Sequence, residues 1–321
     1  MSVKGHAMTV AAVVIGRNEG ARLIACLAAL EGQVDQVIYV DSGSTDGSVA
    51  AAQSRGALVV ALDMTQPFTA ARARNAGLEK VAEGVEFVQF LDGDCALREG
   101  WIATARTFLE DHPDVAVVCG RRRERFPDAS IYNRLIDREW DTPVGQALAC
   151  GGDALMRVAP LRDLGGYRDS LIAGEEPELC VRLHQAGWQI WRLDAEMTWH
   201  DAEITRLSQW WKRSQRAGHA FAEGAALHGG PPERHWVAER RRALIWGVAL
   251  PLAILVLALL ISPWALLLLG IYPLQILRLS RHGGLAWAAL TTFSKFAEGL
   301  GAVQYHLRRM SGRKSEIIEY K

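Results

Sequence analysis

The sequence has little that would support a disulfide framework, a nucleic-acid-binding surface or an exported N-terminus. Lys plus Arg and Asp plus Glu both number 36, whereas a dedicated nucleic-acid binder carries a clear basic excess. The opening run MSVKGHAMTV lacks the apolar stretch of a signal peptide, so we expect the chain to begin in the cytoplasm. No CxxC pair occurs, which excludes a paired-cysteine zinc site or a disulfide framework. In a reducing compartment we expect small buried side chains from all five cysteines: Cys26, Cys95, Cys119, Cys150 and Cys180.

Charge is missing from one long region near the C-terminal end. Half of the 321 residues are hydrophobic and 22% are charged, which suits one large α/β domain with an appendage. From Ala243 to Leu277, however, 35 consecutive residues carry no charge, although charges are common on both sides. The chain therefore combines a water-soluble first three quarters with a strongly apolar tail.

The first 120 residues alternate between short apolar runs and longer Ala-rich stretches with helical spacing. This alternation predicts an α/β domain with a mostly parallel sheet covered by helices on both faces. The predicted strands are Thr9–Ile15, Gln36–Val40, Ala57–Leu62, Val85–Leu91 and Val115–Val118. The predicted helices are Glu19–Leu30, Gly47–Arg55, Ala70–Ala82 and Trp101–Glu110.

Polar clusters follow three of these predicted strands. Asn18 and Glu19 come after the first strand, DSGSTD (41–46) ends the second, and Asp92-Gly-Asp94 ends the fourth. Because right-handed crossovers bring the C-terminal ends of parallel strands to one edge, these loops are predicted to form a ligand site.

The carboxylates in these loops suit metal and nucleoside binding. Asp92 and Asp94 can share Mg²⁺ or Mn²⁺ with phosphate oxygens, although a solvated Asp-Gly turn is the alternative. Asp41 could accept hydrogen bonds from a base or ribose edge, or its loop could simply cap the next helix. Arg72 and Arg74 could neutralise a diphosphate together with Asn75, or the arginines could face solvent.

The apolar tail has the lengths of a membrane hairpin. Residues 243–262 form a 20-residue uncharged stretch, as one bilayer crossing requires, and 264–277 add 14 more after Pro263. The alternatives are a re-entrant hairpin and a buried helix pair of a soluble protein. Arginines before and after the pair place both ends in the cytoplasm by the positive-inside rule: Arg240, Arg241, Arg242, Arg278 and Arg281.

Two further segments bear on the membrane prediction. Leu285–Leu300, with Lys295 and Glu298, is predicted to be an interfacial amphipathic helix. Three tryptophans near arginines fit a surface that rests on lipid headgroups, or equally ordinary packing between helices. They are Trp210, Trp211 and Trp236.

Six motifs occur in an order that resembles the family-2 glycosyltransferases with the GT-A fold. They are VVIGRNE (13–19), DSGSTDGS (41–48), ARNAGL (73–78), FLDGD (90–94), GEEPELCVRL (174–183) and AEMTWHD (195–201). The resemblance covers about the first 220 residues. It implies an inverting transferase that uses a nucleotide-diphosphate sugar and a divalent metal, Mn²⁺ or Mg²⁺.

The resemblance also assigns site residues. It implies that Asp41 contacts the nucleoside and that Asp92 and Asp94 form the DXD pair, with Asp94 the direct metal ligand. It implies that His200 completes the metal–diphosphate site. Gly152 and Asp153 lie where the family often contacts sugar, although a Gly-Gly-Asp turn is an equal alternative. The predicted nucleotide-sugar contacts are Asn18, Glu19, Asp41, Arg74, Asn75, Asp92, Gly152 and Asp153.

The acidic pair Glu175-Glu176 matches the position of the family's catalytic base. An inverting transfer needs one carboxylate to deprotonate the acceptor hydroxyl. The family usually has Glu-Asp here, so Glu176 is the expected base and Glu175 the alternative. Pro177 predicts a helix start, with the helix ending near Gly187, and we expect the helix dipole to keep Glu176 ionised. Gly16, where the family often has proline, is expected to change only loop stiffness.

The sequence thus predicts a membrane-attached inverting glycosyltransferase with a lipid-linked or glycan acceptor and no nucleic-acid partner. The predicted location is the inner (plasma) membrane, with the catalytic domain in the cytoplasm. The predicted domains are a GT-A domain (1–225), a juxtamembrane linker (226–242), a hydrophobic hairpin (243–279) and an interfacial helix with a basic tail (280–321).

Three alternatives fit the residues less well. A sugar-phosphate nucleotidyltransferase would show a Gly-rich first loop, which VVIGRNEG matches poorly. A catalytically silent membrane adaptor has no need for the acidic set at 41, 92, 94 and 176. A processive synthase would carry a QxxRW motif, of which Gln209–Arg213 is only a loose echo.

Overall fold

The computed structural model describes residues 9–312 and Ile318, which fall into two compact units. The sheet unit comprises Met1–Pro127, Ile136–Leu171 and Glu175–Ala202. The helical unit comprises Asp128–Leu135, Ile172–Gly174 and Glu203–Lys321. The predicted boundary at residue 225 remains a prediction.

A nine-stranded sheet forms the centre of the sheet unit, in the order β3-β2-β1-β4-β8-β6-β9-β5, with β7 paired to β9. Its strands are β1 (Thr9–Gly16), β2 (Gln36–Asp41), β3 (Leu58–Ala61), β4 (Val85–Asp92), β5 (Cys95–Leu97), β6 (Val115–Glu124), β7 (Gly145–Gln146), β8 (Ala154–Arg157) and β9 (Gln189–His200).

The predicted α/β sheet is confirmed, and its parallel part is the first four strands. There β1 pairs in parallel with both β2 and β4, and β2 with β3. Beyond β4 the sheet is mixed, because β8 runs antiparallel to β4 and β6 while β6 and β9 are parallel. The strands that the alternation did not predict are short or lie in the irregular second half.

Helices cover this sheet and carry several of the site residues. They are α1 (Ala21–Leu30), α2 (Ser48–Ser54), α3 (Ala70–Leu78), α4 (Trp101–Asp111), α6 (Val158–Asp163) and α7 (Glu175–Gln185). Helix α5 (Ile131–Glu139) has residues in both units.

Helix α3 ends earlier than the predicted Ala82, because the N–H groups of Glu79 and Lys80 close a turn on the carbonyls of Asn75 and Gly77. The same Gly77 lets α3 lie directly on the sheet, since a Cβ there would be 2.3 Å from Val13 Cγ1.

The helical unit is built on a close pair of long helices. Its elements are α8 (Leu207–His228), α9 (Val237–Leu244), a π-helical turn (Ile245–Ala249), α10 (Leu250–Leu260), a 3₁₀ segment (Pro263–Gly270), α11 (Ile271–Gly283) and α12 (Leu285–Met310).

Helices α8 and α12 touch backbone to backbone. A Cβ on Gly218 would lie 1.9 Å from the Glu298 carbonyl oxygen, so only glycine permits this contact. Trp210 Nε1 donates a hydrogen bond to Ser294 Oγ at 2.8 Å, which favours ordinary packing for this tryptophan. The predicted interfacial helix is thus the first part of α12, a longer helix with a face buried against α8.

Two helices of this unit are long and apolar enough to cross a membrane, Val237–Leu260 and Pro263–Gly283. Their side chains are largely exposed, with Leu260 at 80% and Trp264 at 77%. This exposure contradicts the buried helix pair of a soluble protein. By length and composition, the two helices could anchor the protein in a membrane.

Candidate active site

The candidate active site lies in the sheet unit, where the predicted polar loops meet. Strands β2 and β4 end at Asp41 and Asp92, and β9 ends at His200. Helix α7 begins at Glu175, so both acidic residues of the pair lie in its first turn. The predicted convergence of the loops at the C-terminal ends of the strands is therefore what the fold produces.

A buried arginine links three of the carboxylates. Helix α3 places Arg74, whose side chain is 2% exposed, with Nη2 at 2.8 Å from Asp92 Oδ1. Its Nη1 lies 2.8 Å from Glu175 Oε1 and 3.3 Å from Glu176 Oε1. Because a buried unpaired charge is costly, the Arg74 guanidinium depends on these carboxylate partners. Burial alone would lower the pKa of Arg74, but Glu176, Asp92 and Glu175 raise it above its ordinary value.

The pKa of the Glu176 carboxyl is higher than the sequence predicts. Burial, together with the charge of Glu175, raises the pKa of the Glu176 carboxyl to about 7, and Arg74 offsets only part of this effect. The sequence-based expectation that the helix dipole keeps Glu176 ionised is therefore not met, since part of the carboxyl is protonated at neutral pH. A carboxyl with a pKa near 7 is well matched to general-base work at that pH.

Gly152 occupies the centre of this cluster. A Cβ at residue 152 would lie 2.9 Å from Arg74 Nη2, 3.0 Å from Glu176 Oε1 and 3.3 Å from Asp92 Oδ2. The glycine therefore leaves open the space between Arg74, Glu176 and Asp92. It lies where the sequence predicted a sugar contact.

Asp94, the second acidic residue of the predicted DXD pair, forms a separate corner with His200. His200 Nε2 lies 3.2 Å from Asp94 Oδ1, and the ligand atoms of Asp94, Cys95 and His200 lie within 4.8 Å of one another. His200 Nδ1 is buried and has no hydrogen-bond partner among the described residues. A carboxylate and an imidazole suit Mn²⁺, and their separation allows both to bind one ion, so the residues fit the implied metal.

Asp41 and Asn18 shape the predicted nucleoside loop. Asp41 Oδ2 accepts hydrogen bonds from the backbone N–H groups of Gly43 and Ser44, and Tyr39 donates to Oδ1 at 3.0 Å. Asn18 Oδ1 accepts from the Thr45 N–H at 2.7 Å, and its own N–H donates to Ser44 Oγ. Both residues thus hold the 42–45 loop in place beside the strand ends.

Four other residues for which ligand binding was predicted contact other protein groups of the sheet unit. The Asn75 amide bonds the backbone of Tyr167 and the Asp169 carboxylate. Arg72 donates to loop carbonyls, including that of Pro67. Glu19 pairs with Arg22 at 2.9 Å. These contacts give structural roles to three residues for which the sequence predicted ligand binding.

Asp153, the fourth, is fully buried and accepts from Thr198 Oγ1 at 2.9 Å. Its Oδ2 also lies 3.0 Å from Arg122 Nε. The carboxylate therefore orients Arg122, a residue that the sequence analysis did not assign. The Arg122 guanidinium lies over the Trp140 ring, whose centroid is 4.6 Å from that of His200. Simple strand alternation could not have found Arg122, because the pairing of β6 with β9 is irregular between Arg121 and Arg122.

The part of the chain that matches a known family contains most of the predicted site residues. Residues 12–162 match Glycosyl transferase family 2, a range that carries Asp41, Asp92 and Asp94 and ends before Glu175. The chain is 30% identical over 175 residues to a pre-mycofactocin glycosyltransferase of Mycobacterium tuberculosis, covering 49% of this chain and 35% of the relative. It is 28% identical over 215 residues to a TPR repeat-containing protein of Synechococcus elongatus, covering 56% and 52%. The chain thus spans about a third of one relative and half of the other.

Solved structures agree on the fold. The mannosyltransferase PcManGT from Pyrobaculum calidifontis, solved with GDP-Man and Mn²⁺, superposes with a TM-score of 0.64 at 23% identity, covering 92% of this chain and 87% of that one. Glucosyl-3-phosphoglycerate synthase from Mycobacterium tuberculosis, solved with Mn²⁺ and UDP-Glc, gives 0.50 at 20% identity, covering 70% and 80%. The chain therefore has the GT-A fold, and residues 12–162 of it match the glycosyl transferase family 2 model.

Proposed function

We propose that the protein transfers a sugar from a nucleotide-diphosphate sugar to a hydroxyl acceptor with inversion at the anomeric carbon. The observation that carries this proposal is the buried cluster of Arg74, Asp92 and Glu176 beside the Asp94–His200 corner. It joins a carboxyl of raised pKa to a pair of residues that fit a divalent ion. The names of the structural neighbours, which bind GDP-Man or UDP-Glc, support a nucleotide-sugar donor.

Glu176 is the proposed general base. In an inverting displacement, the acceptor hydroxyl attacks the anomeric carbon from the face opposite the nucleotide and transfers its proton to a carboxylate. Arg74 Nη1 lies 3.3 Å from Glu176 Oε1 and also contacts Glu175, while Nη2 of the same guanidinium contacts Asp92. The base therefore has a fixed position in the open space left by Gly152.

The leaving diphosphate is proposed to lie between Asp92 and the corner formed by Asp94 and His200. A divalent cation, Mn²⁺ or Mg²⁺, held by Asp94 and His200 would supply positive charge to the leaving group. Asp41 and Asn18 would position the nucleoside through the 42–45 loop.

A donor screen tests this proposal. The purified chain is incubated with Mn²⁺ and each common nucleotide sugar, and thermal unfolding is measured, since a true donor stabilises only the folded state. The stabilising donor is then offered to candidate acceptors, and nuclear magnetic resonance gives the anomeric configuration of the product. Inverted configuration is the expected result. Retained configuration, or no stabilisation by any donor, would refute the proposal.

We also propose that the hairpin anchors the protein in the inner (plasma) membrane with the sheet unit in the cytoplasm. Leu260, Trp264 and neighbouring apolar side chains are exposed, which suits a lipid environment. A membrane position would favour a lipid-linked acceptor, with a growing surface glycan as the other candidate. Polysaccharide or glycolipid assembly is the corresponding process.

Reporter fusions test the topology. Fusions after Gly230 and after Lys321 should both report from the cytoplasm if the chain crosses twice or re-enters. A C-terminal fusion that reports from outside would establish a single crossing and remove the hairpin.

A further inference from the structure

A cysteine thiol lies at the metal corner and has no part in the proposed transfer. Cys95 directly follows the DXD pair, and its Sγ lies 3.6 Å from Asp94 Oδ1. The side chain is 1% exposed, so this thiol faces the protein interior and its neighbours at the corner. From the sequence alone, Cys95 is expected only to be a small buried side chain.

The sheet fixes the thiol next to the histidine. Strands β5 and β9 are antiparallel, and Cys95 is paired directly with His200 in their register. Side chains of directly opposed residues on two strands lie on the same face, where they are neighbours. The position of Cys95 relative to His200 therefore follows from strand pairing and does not depend on a loop conformation.

The separations of the three groups suit one metal ion. Ligands about 2.0–2.3 Å from a tetrahedral ion lie roughly 3.3–3.8 Å from one another. Asp94 Oδ1 lies 3.2 Å from His200 Nε2 and 3.6 Å from Cys95 Sγ, and the whole set falls within 4.8 Å. The Asp94–His200 and Asp94–Cys95 separations are therefore close to those of two ligands on one ion.

We propose that Asp94, His200 and Cys95 form a three-ligand centre that binds thiophilic divalent ions such as Zn²⁺ or Co²⁺ through the Cys95 thiolate. On binding, a metal–sulfur bond replaces the thiol proton, which leaves to solvent, and no oxidant or reductant takes part. The fourth position stays open for water or a phosphate oxygen, as in zinc sites with three protein ligands.

The thiolate enlarges a preference for Zn²⁺ over Mn²⁺ that a carboxylate and an imidazole already have in smaller measure. Carboxylate, carbonyl and water ligands suit Mn²⁺ and Mg²⁺, whereas thiolate selects softer ions. Zn²⁺ therefore competes with Mn²⁺ for the corner and binds more tightly. The proposal extends the metal assignment made under the proposed function, but ion binding itself does not require sugar transfer.

A cobalt titration tests the proposal on the full chain in detergent. A thiolate bound to Co²⁺ gives an intense charge-transfer absorption in the near ultraviolet, which carboxylate and imidazole ligands do not give. We expect this band in the wild type and its loss in Cys95→Ser. Asp94→Asn and His200→Gln should each weaken Co²⁺ binding tenfold or more.

Two matched cysteine variants control for the other thiols. Cys119→Ser removes a buried thiol outside the corner. Cys150→Ser removes one thiol of a close pair, Cys150 and Cys180, whose sulfurs are 3.7 Å apart. Both variants should keep the band. A band that survives in Cys95→Ser, or wild-type binding of Co²⁺ without a band, overturns the proposal.

Two further measurements keep the test decisive. If Cys95→Ser does not fold, X-ray absorption spectroscopy is measured on the zinc-loaded Cys150→Ser variant instead. We expect one sulfur ligand at about 2.3 Å from the zinc. A spectrum with only nitrogen and oxygen ligands would refute thiolate binding. If it folds, its ratio of Zn²⁺ to Mn²⁺ affinity should fall at least tenfold, and an unchanged ratio would count against the centre. An intact cobalt band without transfer of any sugar would refute the proposed function and leave the metal centre standing.

Discussion

The sheet unit and the helical unit depart in opposite ways from the usual burial of apolar and exposure of charged side chains. The sheet unit buries charge, with Arg74 at 2% exposure and Glu175 at 4%. The helical unit exposes apolar side chains, with Leu260 at 80% and Ile261 at 77%. A buried charge is retained only where it is paired, and an extended apolar surface marks a contact with lipid or another molecule. Each departure therefore marks the region to which we assign a function, donor chemistry in one unit and membrane contact in the other.

The comparison predicts where substitutions act. Changes to the buried charges should alter turnover or unfolding free energy by several kcal/mol, since no solvent screens them. Changes to the exposed apolar side chains should barely affect unfolding and should act on membrane attachment instead. The following predictions run from the largest expected effect to the smallest.

Asp94→Ala should abolish turnover, a loss of at least about a thousandfold, because it removes a carboxylate from the metal corner without opening a core cavity. Sugar transfer by the purified variant is the measurement, with circular dichroism to check the fold. Asp111→Ala, an exposed acidic residue on α4, is the control and should behave as the wild type. Normal turnover in Asp94→Ala would remove the DXD assignment.

Glu176→Gln should lower turnover about 10²–10⁴-fold with donor binding nearly retained, because the amide has the size of the carboxylate but cannot accept a proton. Steady-state rates and donor affinity are measured together. Glu175→Gln is the matched variant, since Glu175 contacts the same guanidinium. If Glu175→Gln is the crippled protein and Glu176→Gln is normal, the base is one residue earlier.

Arg74→Met should lower the unfolding free energy by about 3–5 kcal/mol, because a buried cation is removed and the carboxylates of Asp92, Glu175 and Glu176 lose their common partner. Denaturant unfolding measures the change. Arg72→Met, on the same helix, should cost much less because its guanidinium bonds only exposed loop carbonyls. Equal losses in the two variants would show that the cluster does not depend on Arg74.

The raised pKa of Glu176 predicts a pH-dependent stability. Between its ordinary value of 4.5 and about 7, the folded protein holds a proton that the unfolded chain has lost. The contribution of this group to stability is therefore present below about pH 4.5 and is lost as pH rises through about 7, by up to about 3 kcal/mol.

Glu176→Gln removes this titration, so its unfolding free energy should exceed that of the wild type at pH 8 and approach it near pH 4.5. Unfolding across this range is the measurement, with the exposed Glu83→Gln as control. A wild type that is at least as stable as Glu176→Gln at pH 8 would contradict the raised pKa.

Leu260→Asn should change the unfolding free energy of the sheet unit by no more than about 0.5 kcal/mol, as is usual for exposed positions. It should reduce partition of the protein into liposomes, which flotation measures. Leu155→Asn, in the sheet core at 0% exposure, is the contrasting variant and should unfold the sheet unit instead. Unchanged flotation of Leu260→Asn would argue against lipid contact at this position.

The sequence predicted those strands, helices and motifs that depend only on residues close together along the chain. The alternation of apolar runs and helices predicted β1–β4 and α1–α4, because hydrophobic periodicity depends on neighbours along the chain. The Asp92-Gly-Asp94 loop and the Glu175-Glu176 pair were recognisable for the same reason, as was the uncharged stretch from Ala243 to Leu277.

Contacts between distant residues were decided only by the tertiary structure. Arg74 meets Glu175 across 101 positions, Cys150 meets Cys180 across 30, and strand pairing places Cys95 opposite His200. No sequence spacing encodes these neighbours, because β8 and β9 pair with strands far away along the chain. The raised pKa of Glu176, the structural role of Asn75 and the thiol at the metal corner all depend on such contacts, since burial and electrostatic neighbours exist only once the chain has folded.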